Sequence, residues 1–363
     1  MSETTQYTQI ELLTLKGPEY RRVSTAPPRS PTEDEIPVID LTAINGTPQK
    51  RKDLASKIRA AAQNTGFFYV SNHGIPEEVI QNALAQAKAF FGQSEEDKRR
   101  VSHEKLKGHD GFYGVGTTQI NKSETKDRKE TLSLRYNPEN DPTVSDPTAL
   151  NDERYGAQEL LWTETSHLPG FREVTIDFWQ RRLALARRMT RIFALTLDLP
   201  EDYFDEIITH PGADGLYIHY PGTPSIEAKT QGNIDIDAGI GSHTDIQCFT
   251  LLWQDMSGGL QVLSADDEWL DARPIEGTFV VNIGDFLQRL SNNRFKSTVH
   301  RVYNRRSTSR YAMPFFVGFN PEAVCEVAPT CVDDEHPALF EPISCGKWHR
   351  DRLELARGRA AAA

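Results

Sequence analysis

His243 and Asp245 stand two residues apart in the run GIGSHTDIQCFTLL, and a third candidate ligand, His300, follows 57 residues later in KSTVHRV. Two imidazoles and one carboxylate form the facial triad that holds non-haem Fe(II), leaving about three coordination positions for cosubstrate, substrate and dioxygen. The same donors also suit Zn, since donor chemistry alone does not choose the metal. An H-x-D pair by itself is a weak signal. Ten residues beyond His300 lies Arg310, whose planar guanidinium is a fixed fork for a carboxylate. Arg305 and Arg306 carry the same charge nearby, but Arg310 directly precedes the apolar run YAMPFF.

For His243 and Asp245 to face one cavity, a strand should carry both, because residues i and i+2 of a strand share a face. His300 must then come from a strand distant in sequence. From Leu216 onward, short β-prone runs alternate with turns: LYIHY, CFTLLWQ, GLQVL, EWLDA, TFVVNIG, TVHRVY and RYAMPFFVGF. That density of short strands predicts a barrel or sandwich. Upstream, IPVIDL, GFFYVS and TLSLRYNP read as strands. Leu54, Ile58 and Ala61 share a helical stripe over 53–65, Pro76 opens a second helix, and Phe171 to Leu199 is the longest helical stretch. GKWHRDRLELARGR predicts a last helix that covers one opening. The stretches 92–130 and 138–158 read as turns and loops.

The expected fold is mainly β with helical additions: a jelly-roll core, a helical N-terminal part and a C-terminal helix. Residues 1–35, rich in Thr, Pro, Arg and Glu, read as a flexible arm. Residues 36–200 form the mixed N-terminal part, 201–345 the catalytic core and 346–363 the helix and tail of one integrated domain. A formal net charge of -11 disfavours nucleic-acid binding. No run approaches the ~20 apolar residues of a membrane span, and the N-terminus lacks the pattern of a secretory signal. Four scattered cysteines (Cys248, Cys325, Cys331, Cys345) fit a reduced, cytoplasmic protein. A monomer or weak homo-oligomer is expected.

Several blocks carry a resemblance: IPVIDL, GFFYVSNHGIP, GSHTDIQCFTLLWQD, GGLQVL, WLDARPIEGTFVVNIGDFLQRLSNNRFKSTVHRV and RYAMPFF. In this order they resemble the isopenicillin-N-synthase-like branch of the Fe(II)/2-oxoglutarate-dependent dioxygenases, over most of residues 36–320. The resemblance implies a double-stranded β-helix core, with His243, Asp245 and His300 as metal ligands. It assigns Arg310 to the distal carboxylate of 2-oxoglutarate. Tyr220, in YIHYPG, is placed as a hydrogen-bonding partner of the cosubstrate or as a core tyrosine. Two positions depart from the family pattern. Ala312 stands where relatives place Ser or Thr after the arginine, and Ile218 stands where they often place Asn.

The implied reaction consumes dioxygen and 2-oxoglutarate, releases succinate and carbon dioxide, and hydroxylates, desaturates or ring-closes a small organic molecule such as a specialised metabolite or nucleobase. Candidate substrate-wall residues are Phe112, Tyr113, Ile120, Phe249 and Phe316, with Arg135 as a polar reader at the entrance; for the apolar ones a place in the core is the plainer reading. Two alternatives remain: an Fe(II) oxidase of the same fold that does not use 2-oxoglutarate, and a noncatalytic small-molecule receptor.

Overall fold

A computed structural model describes residues 6–106, 110–150, 158–222, 238–304 and 306–356. Most of the second half of the expected 138–158 loop, and the tail beyond Ala356, lie outside the described residues. The chain opens with a hairpin, β1 (Tyr7–Thr14) and β2 (Gly17–Ser24). Then come β3 (Val38–Asp40), α1 (Pro48–Asn64), β4 (Phe67–Ser71), α2 (Glu77–Phe91), α3 (Glu95–Arg99), β5 (Gly111–Tyr113), β6 (Glu130–Leu134), α4 (Glu159–Glu164) and α5 (Phe171–Thr196). The second half contains β7 (Ala213–Tyr220), β8 (Ala238–His243), β9 (Phe249–Gln254), β10 (Leu260–Leu263), β11 (Trp269–Asp271), β12 (Phe279–Ile283) and α6 (Asp285–Leu290). It ends with β13 (His300–Tyr303), β14 (Arg310–Val317), β15 (Val324–Cys325), β16 (Ile343–Ser344) and α7 (Cys345–Ala356).

Two sheets make the jelly roll. The larger runs β3-β4-β12-β9-β14-β7-β6-β5 and the smaller β11-β10-β13-β8. Strands from both sides of residue 200 therefore share one sheet. Successive side chains of a strand point to opposite faces, and the large sheet uses both. Its inner face turns Phe67, Tyr69, Ile218, Tyr220, Val280 and Ala312 toward Leu260, Val262 and Val302 of the smaller sheet. Its outer face turns Phe68, Val70, Tyr217, Phe249, Phe279 and Phe315 into the core formed with α1, α2 and α5. A strand buried on both faces reads as an unbroken apolar run, and β12, buried at all five positions, shows it. The polar site sits between the sheets.

The segment read as a flexible arm carries the β1–β2 hairpin. Ile10 and Val23 are buried against Leu263, Trp269 and Val299, and Arg29 pairs with both Glu35 and Glu268. Composition marks this stretch as polar, yet two apolar anchors and an ion-pair cluster dock it. Within 92–130, read as turns, α3 and the short β5 form, and β5 extends the large sheet. Among the described residues, no helix is long and apolar enough to cross a membrane.

Candidate active site

β8 and β13 are neighbours in the smaller sheet, with His300 directly opposite His243 and the two rings 4.3 Å apart between centroids. Asp245 does not share the strand. β8 ends at His243, and the carboxylate comes from the turn that follows. Backbone contacts fix that turn: the Asp285 amide donates to the Asp245 carbonyl at 2.8 Å, and the Phe286 amide to that of Gln247 at 3.1 Å. A Cβ at Gly284 would collide with the Gln247 carbonyl, so only glycine lets the two segments approach this closely.

One ligand atom from each of His243, Asp245 and His300 lies within 4.8 Å of the others. The Nε2 atoms of His243 and His300 are 3.8 Å and 3.7 Å from Asp245 Oδ1. The remaining valences are used elsewhere. His243 Nδ1 donates to the Gly241 carbonyl at 2.7 Å, and His300 Nδ1 to that of Thr298 at 3.1 Å. A carbonyl only accepts, so each Nδ1 carries a proton, and in the neutral ring Nε2 is the bare nitrogen that can bind a metal. Asp245 Oδ2 accepts from Thr250 Oγ1 at 2.5 Å and Asn282 Nδ2 at 2.6 Å, leaving Oδ1 for a metal. Burial, reinforced by the adjacent His300, pushes His243 down to about 4. Burial acts upward on Asp245, but the two histidines and the two donors outweigh it and hold the carboxyl below its usual range. Two bare imidazole nitrogens and one carboxylate oxygen thus converge as a donor set that fits Fe(II).

Arg310 begins β14 opposite Tyr220 of β7 and is almost wholly buried. Its Nε donates to the Gly258 carbonyl at 2.7 Å and Nη2 to Gln254 Oε1 at 2.9 Å, while Nη1 is buried with no partner. A buried unpaired donor on a cation is costly, and a carboxylate would satisfy it. The Tyr220 ring lies 4.7 Å from the guanidinium carbon. Ala312 and Ile218, the two departures from the family pattern, are directly opposed across β14 and β7 and both join the inner apolar cluster. They are one feature: an apolar pair in place of a polar one.

The expected wall residues divide by strand face. Phe316 is half-buried and directly opposite Thr250, so it shares the inner face with the residue that holds Asp245. Asp214 is its neighbour on the other side, and Arg135 Nε lies 3.8 Å from Asp214 Oδ1. Tyr113 is also inward, through Thr131 and Ile218, and stacks on His103 with centroids 3.9 Å apart. Ile120 borders a cavity of about 60 Å³ together with His243, Ser242 and Arg352. Phe112 and Phe249 point the other way. Phe112 packs on Phe90 and Phe249 on Phe193 at 4.8 Å, both in the helix-side core.

Thr250, Asn282, Gln254, Asp214 and Asp285 are not singled out by sequence. For the four on strands, the one available signal is parity within apolar runs, where an isolated polar residue on the inward register has to find a polar partner; Asp285, at the start of α6, carries no such signal.

Residues 36–154 match the family described as non-haem dioxygenase in morphine synthesis N-terminal, and residues 216–319 match the 2OG-Fe(II) oxygenase superfamily. The 2-oxoglutarate-Fe(II) type oxidoreductase ppzC of Metarhizium rileyi is 39% identical over 95% of this chain and 94% of its own. The 2-oxoglutarate-Fe(II) type oxidoreductase hxnY of Emericella nidulans is 31% identical over 90% and 91%. Among solved structures, a full-length Neurospora crassa protein in complex with alpha-KG and thymine superposes with a TM-score of 0.73 at 26% identity, over 90% of this chain and 98% of that one. The chemistry supplied by metal and cosubstrate when bound is the activation of dioxygen, with 2-oxoglutarate converted to succinate and carbon dioxide. Converging ligand atoms, a buried arginine with one open donor and near full-length similarity place this chain in the 2-oxoglutarate/Fe(II)-dependent oxygenase superfamily as a non-haem dioxygenase.

Proposed function

We propose that the chain is a cytoplasmic dioxygenase of the isopenicillin-N-synthase-like branch that hydroxylates, desaturates or ring-closes a small ring-bearing metabolite. His243, Asp245 and His300 hold iron, and Arg310 grips the distal carboxylate of 2-oxoglutarate beneath Tyr220. The substrate ring rests on Phe316, with Arg135 reading its polar edge and Tyr113 and Ile120 as flanking walls. One observation carries this reading. The inner face of β14 starts at Arg310, with its unpaired nitrogen, and reaches half-buried Phe316 beside Thr250. Cosubstrate and substrate stations therefore lie on one face, with the ligand cluster beside it. A solved relative supports a ring-shaped substrate: the Neurospora crassa protein is described in complex with thymine and with 5-formyluracil. Four free, buried cysteines suit a reducing compartment. The protein acts alone or as a weak homo-oligomer, without nucleic acid.

The test is aerobic turnover with Fe(II), 2-oxoglutarate and a library of ring-bearing metabolites that includes thymine and 5-formyluracil. Succinate should rise above the substrate-free rate together with a product shifted by one oxygen or by the loss of two hydrogens. If no member of the library raises succinate, the ring-bearing assignment fails.

A further inference from the structure

The geometry points to Asp285 and Arg352 as a positioning pair that couples the C-terminal helix to the iron ligands; the inference rests on reading His243, Asp245 and His300 as those ligands. Asp285 opens α6 and touches both ligand-bearing segments. Its Oδ2 accepts from Thr244 Oγ1 at 3.2 Å, and Thr244 lies between His243 and Asp245. Its Oδ1 accepts from Ser297 Oγ at 2.7 Å, three residues before His300. Its amide donates to the Asp245 carbonyl. One carboxylate thus links two pieces of chain more than forty residues apart in sequence.

The cation that balances it comes from outside the jelly roll. Arg352 of α7 donates Nη2 to Asp285 Oδ2 at 2.5 Å and Nη1 to the Leu13 carbonyl of β1 at 3.2 Å. One turn earlier, Trp348 Nε1 donates to the Ile246 carbonyl at 2.8 Å, immediately after Asp245. The helix therefore grips the metal turn at two points. An acid in the first turn of a helix is ordinary, but that role requires neither an arginine from a distant helix nor hydroxyl donors from both ligand segments. Partners that orient metal ligands typically change metal affinity about 10–100-fold when removed. Without Arg352, Asp285 keeps two hydroxyl donors but no cation, and the turn carrying Thr244 and Asp245 loses one of its two ties to α7.

Fe(II) affinity of the full chain, measured without dioxygen, tests this. Arg352→Ala should weaken Fe(II) binding by about 10–100-fold with secondary structure intact by circular dichroism. Arg352→Lys, which keeps the charge, should recover part of the loss. With Co(II) as the probe, the ligand-field spectrum should shift in Arg352→Ala and move back in Arg352→Lys. Lys347→Ala removes an exposed pair with Asp351 on the same helix and should leave affinity unchanged. Wild-type affinity in Arg352→Ala overturns the proposal. An equal loss in Lys347→Ala also overturns it, since helix loosening would then account for the effect. Asp245→Ala separates the two readings. If it binds iron normally, the ligand assignment itself fails; if it loses iron while Arg352→Ala does not, only the positioning pair fails.

Discussion

The metal cluster and the Arg310 end of β14 are built on opposite plans. At the metal end each ligand has its spare polar atom committed: two imidazoles to backbone carbonyls, and one carboxylate oxygen to Thr250 and Asn282. The ligand atoms are aimed by the protein's own hydrogen bonds. At the other, Arg310 keeps one nitrogen unpaired, and the positions beside it, Ala312 and Ile218, are apolar. On the proposed assignment, the 2-oxoglutarate tail would meet one strong donor and an apolar wall there. One end is preorganised by hydrogen bonds. The other leaves one cationic donor without a protein partner.

The largest effect should follow from breaking the metal end outright. Asp245→Ala removes the one anionic ligand and should abolish measurable Fe(II) binding and turnover; retained affinity would refute the triad. Next is Arg310→Met, which keeps the length and loses the fork. A hydrogen bond to a charged group contributes about 1.5–3 kcal/mol, so the apparent affinity for 2-oxoglutarate should fall at least tenfold. Fe(II) affinity measured without cosubstrate should stay near wild type; a matching loss there would show that the two ends are not separable. Thr250→Val leaves the Asp245 oxygen with Asn282 alone and should weaken Fe(II) binding by about tenfold. Unchanged binding would mean that the carboxylate needs no such support. The smallest effect is expected from Ala312→Ser. A neutral hydrogen bond contributes about 0.5–1.5 kcal/mol, so 2-oxoglutarate affinity should rise a few-fold, further when Ile218→Asn is added. No gain from either change would show that the apolar wall already fits the tail.

The same contrast explains what sequence can and cannot reveal. Ligand types, their spacing and the apolar strands around them are local properties, and the run from Leu216 shows them plainly. β8 escapes a reading by pattern although it carries His243, because AGIGSH holds two glycines and little β-branched content. The hairpin escapes it because β2 (GPEYRRVS) offers one aliphatic anchor, Val23, and in β1 (YTQIELLT) Leu13 breaks the alternation of Ile10 and Leu12. Wall residues depend on strand parity. Phe112 and Tyr113 are adjacent in sequence, yet one packs against α2 and the other faces inward. Thr250, Asn282 and Asp285 acquire their roles only through cross-strand register and tertiary contact, which no local pattern states.

β14 also acts as a ruler. Arg310 and Phe316 are six residues apart on one face, and at about 3.3 Å per residue they span roughly 20 Å. If Arg310 and Phe316 mark the two stations proposed above, the distance between them is set by counting residues along one strand. A one-residue slip would turn both residues outward, so the strand cannot be lengthened or shortened to admit a longer molecule. Under that assignment, a new substrate would be accommodated across the strand, by changing the side chains at its margins.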